Sequence, residues 1–206
     1  MIAGKIVRLV SAVLDDRQRV YDWCFHSETT KSHAGPPDYP NVVIPSYDEF
    51  YSEYAEYFFT GATPCDGQGY IIQHDGEAAG FISYTCFHLL PGKAEFDLWM
   101  NSETNCGRGF GSDAIMALAI HVRNTLGIGE VIMRPSAKNA RAIAAYKKAG
   151  FEESDLLPGE YLRAEYIALY GDGDYGVGGT ALLRLRMTPV TNSAPPTSSP
   201  VSSMIR

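Results

Sequence analysis

The chain has 206 residues, of which 45% are hydrophobic, 20% charged and 12% aromatic, a balance that excludes a polar disordered chain and fits one folded core of ordinary domain size. Lys and Arg number 17 against 24 Asp and Glu, a formal net charge of -7, which excludes nucleic-acid binding as the main task and favours a small cationic partner. No stretch approaches the roughly 20 consecutive apolar residues of a bilayer span: the run Ile6 to Leu14 is broken by Arg8 and leads into Asp15-Asp16.

In chain order, Lys5 to Val10 reads as a strand and Asp15 to His26 as a helix with Val20, Trp23 and Cys24 on one face. A long loop follows, punctuated by Gly35-Pro36-Pro37 and Pro40. Ser46 and Glu49 form a capping box for a helix to about Phe59. Gln68 to His74 and Ala78 to His88 are strands joined at Asp75-Gly76, and Lys93 to Met100 is a third. Helices are expected over Gly111 to Leu126, Ala137 to Ala149 and Pro158 to Tyr170, with strands over Glu130 to Arg134 and Thr180 to Thr188. The Pro, Ser and Thr rich stretch 189–206 is expected to be a disordered tail behind a single domain spanning 1–188.

Cys24, Cys65, Cys86 and Cys106 form no CxxC pair, which points to reduced thiols and a cytoplasmic location. The five histidines lack metal-ligand spacing, so no metal site is expected; His88 ends a strand near the supposed cleft. Charge is segregated. Between Lys31 and Lys93 there are eight acids and no Lys or Arg, whereas Cys106 to Lys148 holds seven basic residues against Asp113 and Glu130. One half suits a cation and the other a polyanion.

Asn105-Cys106-Gly107-Arg108-Gly109-Phe110-Gly111-Ser112 lies between a strand and a helix. Glycines there admit close backbone approach, and the free N–H groups of a helix's first turn attract anions. The pattern is neither the Walker loop nor the dinucleotide fingerprint. About thirty residues later comes Asn139-Ala-Arg-Ala-Ile-Ala-Ala-Tyr146-Lys-Lys148-Ala-Gly150-Phe151. The two segments together resemble the signatures of the GCN5-related N-acetyltransferase (GNAT) superfamily, with Cys106 standing where that family often has Gln or Arg.

The resemblance implies an α/β fold, a mixed and mostly antiparallel central sheet flanked by helices and splayed at the cofactor site, with acetyl-CoA as cosubstrate. It implies that the amides from Arg108 through Gly109, Phe110 and Gly111 to Ser112 hold the pyrophosphate. Asn139 would contact the pantetheine arm, and Arg141 or Lys148 would lie near the phosphates. An amide among Leu98, Trp99 and Met100 would meet the thioester oxygen, and Tyr146 would protonate the departing sulfur. For the base, strand alternation puts Glu95, Asp97 and Trp99 on one face, where either carboxylate could take the proton of an ammonium group.

For the acceptor, Glu49, Glu53 and Glu56 are spaced along the helix from Ser46, among aromatics that include Tyr54. Glu53, Glu56 and Tyr54, with Trp99 and His88, are the expected acceptor contacts. The order Tyr21-Asp-Trp-Cys-Phe-His-Ser27, Gly35-Pro-Pro37 and Ile44-Pro-Ser-Tyr-Asp-Glu-Phe50 is similar to a subgroup associated with aminoglycoside acetylation, kasugamycin 2'-N-acetyltransferases in particular. Three readings stay open: an aminoglycoside-modifying resistance enzyme, an acetyltransferase for a protein N-terminus or polyamine, and an acyl-CoA-binding regulator without turnover. A small-molecule partner is expected in the first, with neither nucleic acid nor membrane, and a homodimer is left open.

Overall fold

The computed structural model describes residues 1–33, 41, 43–53 and 56–188, the side chains of His33 and Glu53 excepted. Tyr54, the Gly35-Pro36-Pro37 turn and the expected tail therefore lie outside the described residues. Strands run β1 (Ile2–Ala3), β2 (Arg8–Ser11), β3 (Gly67–His74), β4 (Glu77–Thr85), β5 (Lys93–Met100), β6 (Glu130–Met133), β7 (Glu152–Glu153) and β8 (Leu183–Arg186). Helices are α1 (Arg17–Phe25), α2 (Thr30–His33), α3 (Tyr47–Glu53), α4 (Tyr57–Thr60), α5 (Phe110–Leu126), α6 (Ala140–Lys148) and α7 (Ile167–Tyr170).

The strands form one 8-stranded sheet in the order β1-β2-β3-β4-β5-β6-β8-β7. Its pairs are antiparallel except for β5 with β6. The mixed, mostly antiparallel sheet flanked by helices is the expected fold. The β3–β4 turn places Asp75 at φ 49° and Gly76 at φ 86°, the left-handed pair that matches hairpin twist. Adjacent residues of the central strands serve opposite cores: Ile72 and Ile82 pack under α5 with Leu118, while Ile71 and Phe81 pack with Val20, Phe50 and Phe59 of α1, α3 and α4. Burial of each such side chain contributes about 1.5–3 kcal/mol.

Among the differences from the expected elements, β1 and β7 are additional and the helix from Ser46 is described as α3 and α4; two others have a visible cause. The strand expected from Lys5 begins only at Arg8, because the Asp113 carboxylate accepts the amides of Lys5, Ile6 and Val7 at 3.0, 2.7 and 3.0 Å and bends the segment into a turn. A Cβ at Gly4 would clash with that carboxylate. The helix expected over Pro158 to Tyr170 breaks into 3-10 turns at Pro158–Glu160 and Ala164–Tyr166 before α7. Its backbone pairs sideways instead: Leu90 N–H donates to the Tyr161 carbonyl at 2.8 Å and Arg163 N–H to that of His88 at 3.0 Å. Tyr161 and Leu162 are thereby buried with Leu89 and Ile132.

Candidate active site

β5 and β6 pair only at Lys93↔Glu130, Ala94↔Val131 and Glu95↔Ile132. Beyond Glu95 they part, and a cavity of about 990 Å³ opens between them. Asn101 N–H donates to the Ala79 carbonyl on β4, so strand alternation turns the Trp99 amide toward β4 and the amides of Leu98 and Met100 toward the cleft. The Met100 carbonyl, on that same open side, accepts the buried Thr29 hydroxyl at 2.7 Å. Of the amides expected near a thioester oxygen, Leu98 and Met100 face the cavity and Trp99 does not.

At one end of the cleft the chain turns into α5. Gly107 and Gly109 adopt φ 72° and 86°, a region where a Cβ is strained, and Gly109 caps the helix without any side-chain hydrogen bond. Among the described residues, no backbone carbonyl accepts the N–H groups of Phe110, Gly111 or Ser112. These are the free donors of a 17-residue helix. A Cβ on Gly111 would meet Leu98 Cδ2 at 3.4 Å, within the cavity wall. The Asp113 carboxylate, which would repel an anion here, is spent on the 5–7 amides. The side chains of Arg108 and Phe110 do not line the cavity: Phe110 is buried against His74, and the Arg108 guanidinium lies 4.5 Å over the Phe110 ring. That turn faces the cleft with backbone.

α6 forms the facing wall. Asn139 caps it, its side-chain oxygen accepting Ala142 N–H at 3.1 Å while the residue lines the cavity. Lys138, Arg141 and Lys148 bring cations to the same wall. The Arg141 guanidinium is engaged with Glu103 at 2.6 and 3.1 Å and with Ser32 Oγ at 2.8 Å, so it clasps α2 and the 103–105 turn across the cleft mouth. Tyr146 is 7% exposed and lines the cavity. Burial, then the charge of Asp97, pushes its phenol up, which keeps it a neutral proton donor.

The carboxylates of β5 have different environments. Glu95 is buried, with Arg134 Nε at 2.6 Å from one oxygen and Arg134 Nη2 at 3.0 Å and His88 Nε2 at 2.8 Å from the other. Burial alone would raise its pKa, but the hydrogen bond from His88 and the Arg134 charge outweigh it and hold Glu95 below the usual carboxylate range. With both oxygens occupied, Glu95 is no free base, contrary to the sequence expectation. Asp97 is exposed where the strand borders the cavity, and among the described residues no hydrogen bond or ion pair reaches its carboxylate. Desolvation by the surrounding cleft, then repulsion from Glu95 and Asp174, raises its pKa toward about 7, and solvent reaching the exposed side chain limits that shift.

Trp99 shares the Glu95 and Asp97 face, as strand alternation requires, and lines the cavity while packing on Phe81 at 5.0 Å. The acidic helix is placed otherwise. The capping box forms, Ser46 N–H donating to Glu49 at 2.7 Å and Glu49 N–H to Ser46 Oγ at 3.2 Å, so Glu49 is engaged in capping. Glu56 is exposed and outside the cavity wall. α3 contributes Phe50 there. Glu53 and Tyr54 lie where no side chain is described.

Acids reach the cleft from another quarter. The stretch Gly171-Asp-Gly-Asp174-Tyr175-Gly-Val-Gly-Gly179, passed over in the sequence reading, brings Asp174 and Tyr175 to the cavity beside Asp97. Its left-handed Gly173, Gly176 and Gly178 make the turns. Asp174 is exposed toward the cleft; desolvation by neighbouring protein, then the charge of Glu95, raises its pKa within what that exposure allows, and burial raises the Tyr175 phenol. Cys24, Thr29 and Tyr170 complete this wall. The one available signal was an acid and an aromatic inside a run too rich in glycine to be structural filler.

Residues 7–152 match the family model described as an acetyltransferase (GNAT) domain. No curated protein matches this chain significantly. Solved structures share the fold. RimL, a ribosomal-protein alpha-N-acetyltransferase in complex with coenzyme A, is 17% identical at a TM-score of 0.63, covering 89% of this chain and 96% of its own. The aminoglycoside acetyltransferase AAC(6')-Ib with ribostamycin and coenzyme A is 18% identical at 0.63, covering 88% and 94%. Spermidine N-acetyltransferase from Vibrio cholerae with CoA and spermine is 15% identical at 0.61, covering 89% and 97%. At these identities the neighbours establish the fold, and the family model establishes membership: the chain belongs to the GNAT acetyltransferases.

Proposed function

We propose that residues 1–188 form one domain that transfers an acetyl group from acetyl-CoA to a primary amine of a cationic aminosugar, with Asp97 as the general base. The observation that carries this reading is the Asp97 carboxylate, which borders the cavity where β5 and β6 separate and meets no hydrogen-bond or ion-pair partner among the described residues; its raised pKa supports the role of base. The cleft suits the cosubstrate: free amides and left-handed glycines sit at one end, and Lys138, Arg141 and Lys148 line the wall beside them. Bound there, acetyl-CoA supplies an activated acyl group. The amides of Phe110 to Ser112 bind phosphate oxygens, Asn139 contacts the pantetheine arm, and the Leu98 or Met100 amide stabilises the carbonyl oxygen as it gains charge. Asp97 takes one proton from the acceptor ammonium, directly or through water, and frees the lone pair that forms the new C–N bond. Tyr146 gives its phenolic proton to the sulfur as the C–S bond breaks, and the second proton, shed by the newly acylated nitrogen, returns through solvent to the phenolate.

The acceptor assignment rests on charge. Asp97 and Asp174 bring negative charge to a cleft whose cations, Lys138, Arg141 and Lys148, lie on the cosubstrate wall, and aromatic rings are among its lining residues. That combination fits an ammonium on a ring, and kasugamycin is the first such molecule to try; acetylating it would make the chain a resistance enzyme. The free thiols of the four cysteines fit a reducing, cytoplasmic setting. A protein N-terminus or polyamine would use the same catalytic groups. Thiol release from acetyl-CoA, followed with kasugamycin, kanamycin, spermidine and a short peptide in parallel, tests the proposal. Release with an aminoglycoside supports it, and release with the peptide alone moves the assignment to protein acetylation.

A further inference from the structure

One cation of the cosubstrate wall is already held by a carboxylate of the same chain. Arg141, in the first turn of α6, lines the main cleft, as do Ser32 of α2 and Asn105 and Cys106 ahead of the glycine turn. Its Nη1 donates to Glu103 Oε2 at 2.6 Å, and its Nη2 donates to Glu103 Oε1 at 3.1 Å and to Ser32 Oγ at 2.8 Å. Glu103 is fixed in turn, its N–H donating to the Glu28 carboxylate at 3.2 Å. The hydrogen bond from Arg141 holds the Glu103 carboxyl below the usual carboxylate range, so it stays ionised at neutral pH. The guanidinium therefore has a bidentate anion before any ligand arrives. Yet the two side chains remain 47% and 34% exposed, where an ion pair is weak and a more highly charged anion can displace it.

We propose that Glu103 is an internal competitor of the cosubstrate: its carboxylate holds Arg141 in the free protein, and a phosphate of acetyl-CoA displaces it and takes the guanidinium. The free amides of Phe110, Gly111 and Ser112 stand at one wall of the cleft and Arg141 at the facing wall, so a ligand with several phosphate groups engages both. A lone small anion on the amides leaves the ion pair intact. Acetyl-CoA gains Arg141 only by breaking the Glu103 contact, and Glu103 thereby weakens cosubstrate binding. The inference rests on the cosubstrate reading above and adds Glu103 as a residue that sets its affinity.

Calorimetric titration of CoA into the native protein, Glu103→Gln, Arg141→Gln and the double variant is the test. Glu103→Gln keeps the size of the side chain and removes its charge, and it should tighten CoA by about fivefold, the upper end of what an exposed ion pair contributes. Arg141→Gln should weaken CoA, and in that background Glu103→Gln should gain less than about twofold, because no shared cation is left to compete for. A Glu103→Gln affinity equal to or weaker than native overturns the proposal. So does an Arg141→Gln affinity equal to native, or a fivefold gain that persists without Arg141, which is plain repulsion between Glu103 and the ligand. The same titrations with 3'-dephospho-CoA identify the group taken: loss of the gain assigns Arg141 to the 3'-phosphate and retention assigns it to the pyrophosphate, and both support displacement. Native CoA binding without a gain in Glu103→Gln removes this inference alone, whereas no CoA binding to the native protein removes the cosubstrate reading with it.

Discussion

Asp97→Asn is the most informative single substitution. In the native protein only the ionised carboxylate accepts a proton, and a pKa of about 7 means an ionised fraction of about one-tenth at pH 6 and nine-tenths at pH 8. The ratio of native to Asp97→Asn kcat/KM, which cancels the titration of the amine itself, should therefore rise about tenfold over that interval. At pH 8 the variant should be slower by about 100-fold to 10,000-fold, the span of general-base contributions. The same raised pKa has a stability consequence. Between about pH 4 and 7 the folded protein holds a proton that the unfolded chain releases, so stability falls as pH rises through that window, and Asp97→Asn should remove this fall. Initial rates by thiol release from pH 5.5 to 8.5, with urea midpoints at matching pH, measure both effects. A variant that keeps the native rate and pH profile would refute the assignment of the base.

Three further outcomes are expected. Tyr146→Phe should lower kcat by about tenfold or more with little change in acetyl-CoA affinity, since the buried hydroxyl is needed only as the thiolate departs; native turnover would reduce it to packing. Gly111→Val, at a position without left-handed strain whose Cβ enters the cavity wall, should raise the acetyl-CoA KM by about tenfold, equivalent to about 1.4 kcal/mol, while circular dichroism stays native. Arg134→Met leaves the Glu95 carboxylate buried without its cation and should cost about 3–5 kcal/mol in urea denaturation; a loss below about 1 kcal/mol would show that His88 alone suffices.

What the sequence made legible follows from how local each signal is. The turn at Gly107 to Ser112 and the cap at Asn139 are read from neighbouring residues, because glycine torsions and a side-chain oxygen three residues from its amide are set within one turn of chain. The Glu95, Asp97 and Trp99 face followed from strand alternation alone. Which carboxylate is free did not, since it depends on Arg134, 39 residues away, and on His88. Of the acidic residues from Ser46 onward, Glu49 is engaged in capping and Glu56 is exposed outside the cavity wall, while the Glu53 side chain and Tyr54 lie outside the described residues. Among the described residues of α3, Phe50 lines the cleft, and Asp174 brings negative charge to it from a distant loop. Loop 171–179 carries no periodicity, so its place beside Asp97 is visible only in the folded chain.

The central claim is acetyl transfer to an aminosugar amine through Asp97. Incubating acetyl-CoA and kasugamycin with the native protein or with Asp97→Asn, and weighing the antibiotic by mass spectrometry, tests it most directly. The native protein should add one acetyl group and Asp97→Asn should leave the antibiotic almost unmodified over the same interval. Equal acetylation by both proteins, or no acetylated aminoglycoside alongside rapid acetylation of a peptide N-terminus, would contradict the account.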